Sequence, residues 1–227
     1  MHRSKIILLI FNILVFLPKW SINQNFSHLT IKEGLSQSTI KSICQDYKGF
    51  IWIGSADGLN KYDAYQFTIY RNNPADPRTL CGNDIACIYE DPQDSTLWIG
   101  NQTDGLNCYV RKNDTFVRFR RGSAGSIPSN DISAIVREPG GKLWISTKDK
   151  GLCYFNSADS SFVQPEFAKE GKLQNINTFV FDLHGRMWLG TMNDLFVVEP
   201  SGKNDFSQST PQNIKISPSP GQIIALL

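Results

Sequence analysis

Histidine is nearly missing from this sequence. Among 227 residues only His2, His28 and His184 occur, and no two lie at metal-ligand spacing. No histidine-based metal centre is expected, and no cofactor. A Walker-type phosphate loop and a Gly-x-Ser-x-Gly elbow are both lacking, so no catalytic residue is assigned. The Asp-Gly pairs at 57–58 and 104–105 lack the alternating acidic ligands of a calcium loop and read as hairpin turns. Charge of one sign is not in excess either. Lys and Arg total 23 against 21 Asp and Glu, which leaves no electrostatic footprint for nucleic acid or an anionic surface. Past the N-terminal segment there is no sustained i, i+3, i+4, i+7 pattern, and so no long helix.

Long apolar runs are scarce as well. Ile6 to Leu17 is a stretch of twelve residues broken only by Asn12, preceded by the basic His2-Arg3-Ser4-Lys5. It is too short to span a bilayer comfortably and has the form of a secretory signal. Residues 1–23 are therefore read as a signal peptide or an uncleaved anchor, and the remainder as lying outside the cytoplasm. The five cysteines, at 44, 81, 87, 108 and 153, do not recur at one repeat position. They read as small strand residues, with a Cys81–Cys87 bridge left open.

What the chain has in abundance is one sentence repeated. Asp46-Tyr47-Lys48-Gly49-Phe50-Ile51-Trp52-Ile53-Gly54 returns as Asp91 to Gly100, as Glu138 to Ser146 and as Asp182 to Gly190. Trp52, Trp98, Trp144 and Trp188 are spaced 46, 46 and 44 residues apart, a period that signals a repeat architecture. Each copy divides into short runs rich in β-branched and aromatic residues, separated by Gly, Pro, Asn, Asp and Ser. These are strands joined by tight turns. Phe50-Ile51-Trp52-Ile53 and Leu143-Trp144-Ile145 are apolar at every position, so both faces of that second strand must be covered. Four-stranded sheets stacked radially cover both faces. The fold class expected is all-β, a β-propeller of four-stranded blades. Gly49, Gly141 and Gly185 fall in the turn before the tryptophan, where positive φ is needed. Gly54, Gly100 and Gly190 follow it, where a side chain would obstruct packing.

The full unit reads acid-x-x-Gly-x-apolar-Trp-Ile/Leu-Gly, then Gly-Leu a few residues on. It departs from this at Ser95 in copy two and at Asp194 in copy four. This unit resembles the two-component regulator propeller repeat. Phe26-Ser27-His28-Leu29-Thr30 through Glu33-Gly34-Leu35-Ser36-Gln37 is similar to the usual opening of sensors built from it. The resemblance implies the periplasmic sensing part of a hybrid two-component histidine kinase held in the inner membrane as a homodimer. It also implies further blades and downstream sensor domains as partners, and an oligosaccharide as ligand. It implies no enzyme activity for this chain, the kinase lying further on, and it supplies no ligand-binding residue. Tyr47, Tyr65, Arg78 and Asn101 are the kind of residue a sugar would use. The alternative is a secreted propeller enzyme of sialidase or lyase type.

The expected organisation is a closing strand over 24–35 and blades over 36–81, 82–127, 128–172 and 173–216. Residues 217–227 are read as the start of a fifth blade, so that the ring is incomplete and the chain a fragment.

Overall fold

The computed structural model describes residues 27–122, 125–169, 171, 173–202 and 205–214. The signal segment and the fifth-blade start both lie outside the described residues. Within them are four antiparallel sheets of four strands, each following chain order. The first holds β1 (Ile40–Gln45), β2 (Ile51–Ser55), β3 (Gly58–Tyr62) and β4 (Phe67–Tyr70). The second holds β5 (Ile85–Glu90), β6 (Leu97–Asn101), β7 (Leu106–Val110) and β8 (Thr115–Phe119). The third is β9 (Ile132–Arg137), β10 (Leu143–Thr147), β11 (Gly151–Asn156) and β12 (Ser161–Val163), and the fourth β13 (Ile176–Phe181), β14 (Met187–Thr191), β15 (Leu195–Val198) and β16 (Pro211–Ile214). The first strands are neighbours: β1 beside β5, β5 beside β9, β9 beside β13. The sheets are thus blades whose innermost strands gather about one axis.

The apolar second strands behave as their composition requires. Every residue of β6 and β10 is buried. The core lies between blades, in three separate clusters. Trp52 joins Leu59 of its own blade to Ile85, Leu97 and Ile99 of the next. Trp98 and Trp144 do the same one and two blades further on. Each of these rings meets an aromatic ring from the following blade: Trp52 on Tyr109 at 5.0 Å, Trp98 on Phe155 at 5.1 Å, Trp144 on Phe206 at 5.6 Å. Trp188 departs from the expected burial and is only half-buried. No sheet follows it among the described residues, and the Arg186 guanidinium lies over its ring at 5.4 Å instead.

The acid that opens each unit has a specific job. Asp46, Glu138 and Asp182 accept the indole N–H of their tryptophans at 2.9, 2.6 and 2.9 Å. In blade two the turn between Asp91 and Trp98 is one residue longer, and the Trp98 indole N–H is buried with no partner. Asp91 instead takes the Arg137 guanidinium of the third blade.

The two glycine positions also resolve. Gly49 and Gly141 have φ of +87° and +99°, and Ser95, which stands in their place in blade two, is held at +58°. A Cβ on Gly54 would lie 2.6 Å from Ile85 Cγ2, and one on Gly100 would lie 2.6 Å from Ile132 Cγ2, so these glycines set the blade spacing. Gly185, at φ +76°, matches the first pair, and Gly190 is buried at the position of the second.

The closing strand expected over 24–35 is not a strand where it is described. Residues 27–30 pair with no strand, and Ile31–Glu33 is a 3-10 turn closed by a reciprocal Thr30–Glu33 capping box and by Gly34 in the left-handed region. Thr-x-x-Glu is a helix-start signal, and it wins locally over the β-branched composition of the segment.

Candidate functional site

Every first strand carries a β-bulge at the same place. Ile40 pairs with Ser55 and Ser42 with Gly54, so Lys41 is the extra residue. Ala86, Ser133 and Asn177 are skipped in the same way in the other blades. A bulge bends the strand and re-aims the unpaired side chain. These four residues line a single cleft of about 310 Å³ at the start of the inner strands, the mouth of the axis. The turns after the second strands complete it with Gln102 and Lys148, and Asp131 enters from just before β9.

The wall of this mouth is built by the backbone in a repeated manner. Gln102 N–H donates to the Asp84 carbonyl at 3.0 Å, and Lys148 N–H donates to the Asp131 carbonyl at 3.1 Å. The side chains on that frame differ. Lys41 Nζ crosses to the second blade, donating to Gln102 Oε1 at 2.6 Å and pairing with Asp84. Ser133 turns its hydroxyl to Ser146 Oγ at 2.8 Å. Burial pushes the Asp131 carboxyl above the ordinary carboxylate range, with Lys148 drawing it partly back and Asp149 adding to the rise. The cleft offers donors and acceptors to a polar ligand; among the described residues no group of His, Cys, Asp and Glu is placed to hold a metal ion.

The residues named from the sequence as sugar-like contacts are not brought together. Tyr47 and Tyr65 are 60% and 93% exposed, but they sit on the β1–β2 and β3–β4 turns, at the opposite end of the blade from the mouth. The Arg111 guanidinium lies 5.0 Å from the Tyr47 ring centre. Arg78 pairs with Asp76 in the loop between blades. Asn101 is fully buried, accepting from Asn107 Nδ2 at 2.7 Å and donating to the Asp84 carbonyl at 3.2 Å, so it is structural. His184 lies in the β13–β14 turn, also away from the mouth. All five cysteines are free thiols, and burial raises the pKa of each.

Sequence reasoning missed the bulge position altogether. Aligned on the opening acid, Lys41, Ala86, Ser133 and Asn177 are the same place in each copy. The available signal was a position whose chemistry changes inside an otherwise repetitive strand.

Known proteins agree with this architecture. Residues 34–57 and 79–103 match the two component regulator propeller family model. A stretch of 55 residues is 49% identical to Histidine kinase P4 of Formosa agariphila, covering 24% of this chain and 4% of that protein. The extracellular domain of a hybrid two component system from B. thetaiotaomicron superposes with a TM-score of 0.73 at 25% identity, over 83% of this chain and 26% of that one. Virginiamycin B lyase from Staphylococcus aureus superposes with a TM-score of 0.61 at 16% identity, over 86% of this chain and 60% of the lyase, a likeness of fold alone. The chain therefore spans about a quarter of the ectodomain it matches. Residues 34–57 and 79–103, which fall in the first two blades, match the two component regulator propeller repeat, and the four in-register blades are all built on one plan.

Proposed function

We propose that this chain is the extracytoplasmic, ligand-sensing propeller segment of a two-component receptor, that its ligand is a glycan, and that it does no chemistry itself. The observation that carries the reading is the axial mouth: four bulges of one geometry present four different side chains to one cleft. A scaffold needs repetition; a binding site needs difference placed on it. The sensor setting is supported by the likeness to a two component ectodomain and to part of a histidine kinase. In that setting the periplasm is the compartment and the membrane-held receptor is a homodimer. Further blades and sensor domains are its partners, and transcription of glycan-use genes is the output.

Signalling requires the ligand to bind two receptor states with different affinity. The test is calorimetry across a panel of plant and host oligosaccharides, with this chain beside the whole receptor ectodomain. Micromolar binding by the ectodomain is expected, and weaker binding by the chain. Turnover of any glycan by the chain would reverse the reading in favour of an enzyme.

A further inference from the structure

The mouth contains a built-in comparison. Where the first blade meets the second, the bulge residue Lys41 fills the gap and donates to Asp84 and Gln102. Where the second meets the third, the equivalent bulge residue is Ala86, and the equivalents of Asp84 and Gln102 are Asp131 and Lys148. The frame is the same, since both acids accept the turn N–H through their carbonyls at 3.0 and 3.1 Å. The side chain that would reach across is missing its amine. Asp131 Oδ1 is accordingly buried with no hydrogen-bond partner. Its carboxylate lines the cleft with no lysine of the chain across from it, and a ligand donor there supplies the contact that Lys41 makes to Asp84.

Resting on the sensor reading, we infer that the gap above Ala86 is a subsite for a vicinal hydroxyl pair of an uncharged sugar. One hydroxyl donates to the side of the Asp131 carboxylate that lines the cleft. The adjacent hydroxyl accepts from Lys148 Nζ, which forms no ion pair within 4 Å among the described residues. A ligand ammonium would suit Asp131 but meets the Lys148 charge; a uronate or sulfate would suit Lys148 but meets the Asp131 charge. Each residue excludes what the other alone would accept, and a neutral donor–acceptor pair satisfies both. In the first gap Gln102, an acceptor, stands where Lys148 stands here, which is why that gap is filled by a lysine of the chain itself.

The test uses the full chain in saturation-transfer NMR and titration. Cellotriose, maltotriose and mannotriose are the neutral probes, digalacturonate the acidic one and diglucosamine the basic one. At least one neutral trisaccharide should bind, and both charged probes should bind about tenfold more weakly or worse. Ala86→Lys should abolish the neutral binding and raise Tm, because its amine repeats the contact Lys41 makes. Lys148→Gln should admit diglucosamine. A charged probe that binds best overturns the inference and leaves the sensor reading standing, as does neutral binding that Ala86→Lys leaves unchanged. A lowered Tm in Ala86→Lys removes the equivalence on which the subsite rests. Silence from all three neutral probes overturns the subsite, and the sensor reading falls with it only if the whole ectodomain is silent across its own panel.

Discussion

Trp52 donates its indole N–H to Asp46 Oδ2 at 2.9 Å, and Arg111 of the neighbouring blade donates to the same oxygen at 2.8 Å. One carboxylate thereby fixes the tryptophan within its blade and ties that blade to the next. Burial works to raise the Asp46 pKa, but the bonds from Trp52, Arg111 and the Phe50 amide outweigh it and hold the group below its ordinary 3.8. Glu138 makes the same bond to Trp144, but the guanidinium of the adjacent Arg137 goes to Asp91 instead; burial prevails there and the Glu138 pKa rises above its ordinary 4.5.

The two acids should therefore respond oppositely to neutralisation. The Asp46 contribution is present above 3.8 and is lost as pH falls through its depressed folded value. The Glu138 contribution is full below 4.5 and is lost as pH rises through its raised value, so at pH 7 its charge is a cost. Asp46→Asn should cost about 2–3 kcal/mol at pH 7, and less at pH 3. Glu138→Gln should be neutral or stabilising by up to about 1 kcal/mol. Urea unfolding of both variants at the two pH values decides it; equal losses at pH 7 would contradict the assignment.

Ser95 is held at φ +58° where its counterparts are glycines. Ser95→Gly should stabilise the chain by about 0.5–1 kcal/mol by removing that strain. Thermal melts would show it as a raised Tm, and a fall would mean that the longer turn of blade two has different demands.

Truncating the repeated tryptophans should not give one answer. Trp52 is fully buried and Trp188 is half-exposed. Trp52→Ala should cost about 3–5 kcal/mol, with Trp188→Ala well below that range. Denaturant midpoints of the two variants provide the comparison.

Asn60 and Asn107 occupy the same repeat position and are both fully buried. Asn107 Oδ1 accepts from Cys81 N–H at 2.8 Å, as Asn60 Oδ1 accepts from Ser36 N–H at 2.8 Å, pinning the chain as it enters a blade. Asn107→Leu leaves the Cys81 amide buried and unpaired, at a cost of about 1–3 kcal/mol. Faster hydrogen exchange at Cys81 should accompany the loss; unchanged exchange there would sink the explanation.

The scaffold was readable because it is written four times. Trp52, Gly54 and Gly49 each meet a demand that any blade makes, so copying exposes the demand. The bond from tryptophan to acid went unread although its six-residue interval is kept in three copies, because an acid before a turn glycine already has a reading as a turn residue. The mouth was harder still. Lys41, Ala86, Ser133 and Asn177 share a geometry but no chemistry, and the one-residue shift of alternation that a bulge makes near the start of a six-residue strand leaves too short a run on one side to be read. Tyr47 and Asn101 looked like ligand contacts by residue type alone. Their strand ends send them to opposite ends of the blade, and burial commits Asn101 to the fold.

The recurring bulge makes the mouth a word of four letters spelled in blade order: Lys, Ala, Ser, Asn. Because each letter stands outside the ladder of strand pairs, it can be respelled without rewriting the line in which it sits. A gene that duplicates a blade acquires a new letter, and one that mutates a bulge changes the word while the grammar stays fixed. Propellers built on this plan can therefore change what the mouth presents while the blades stay as they are.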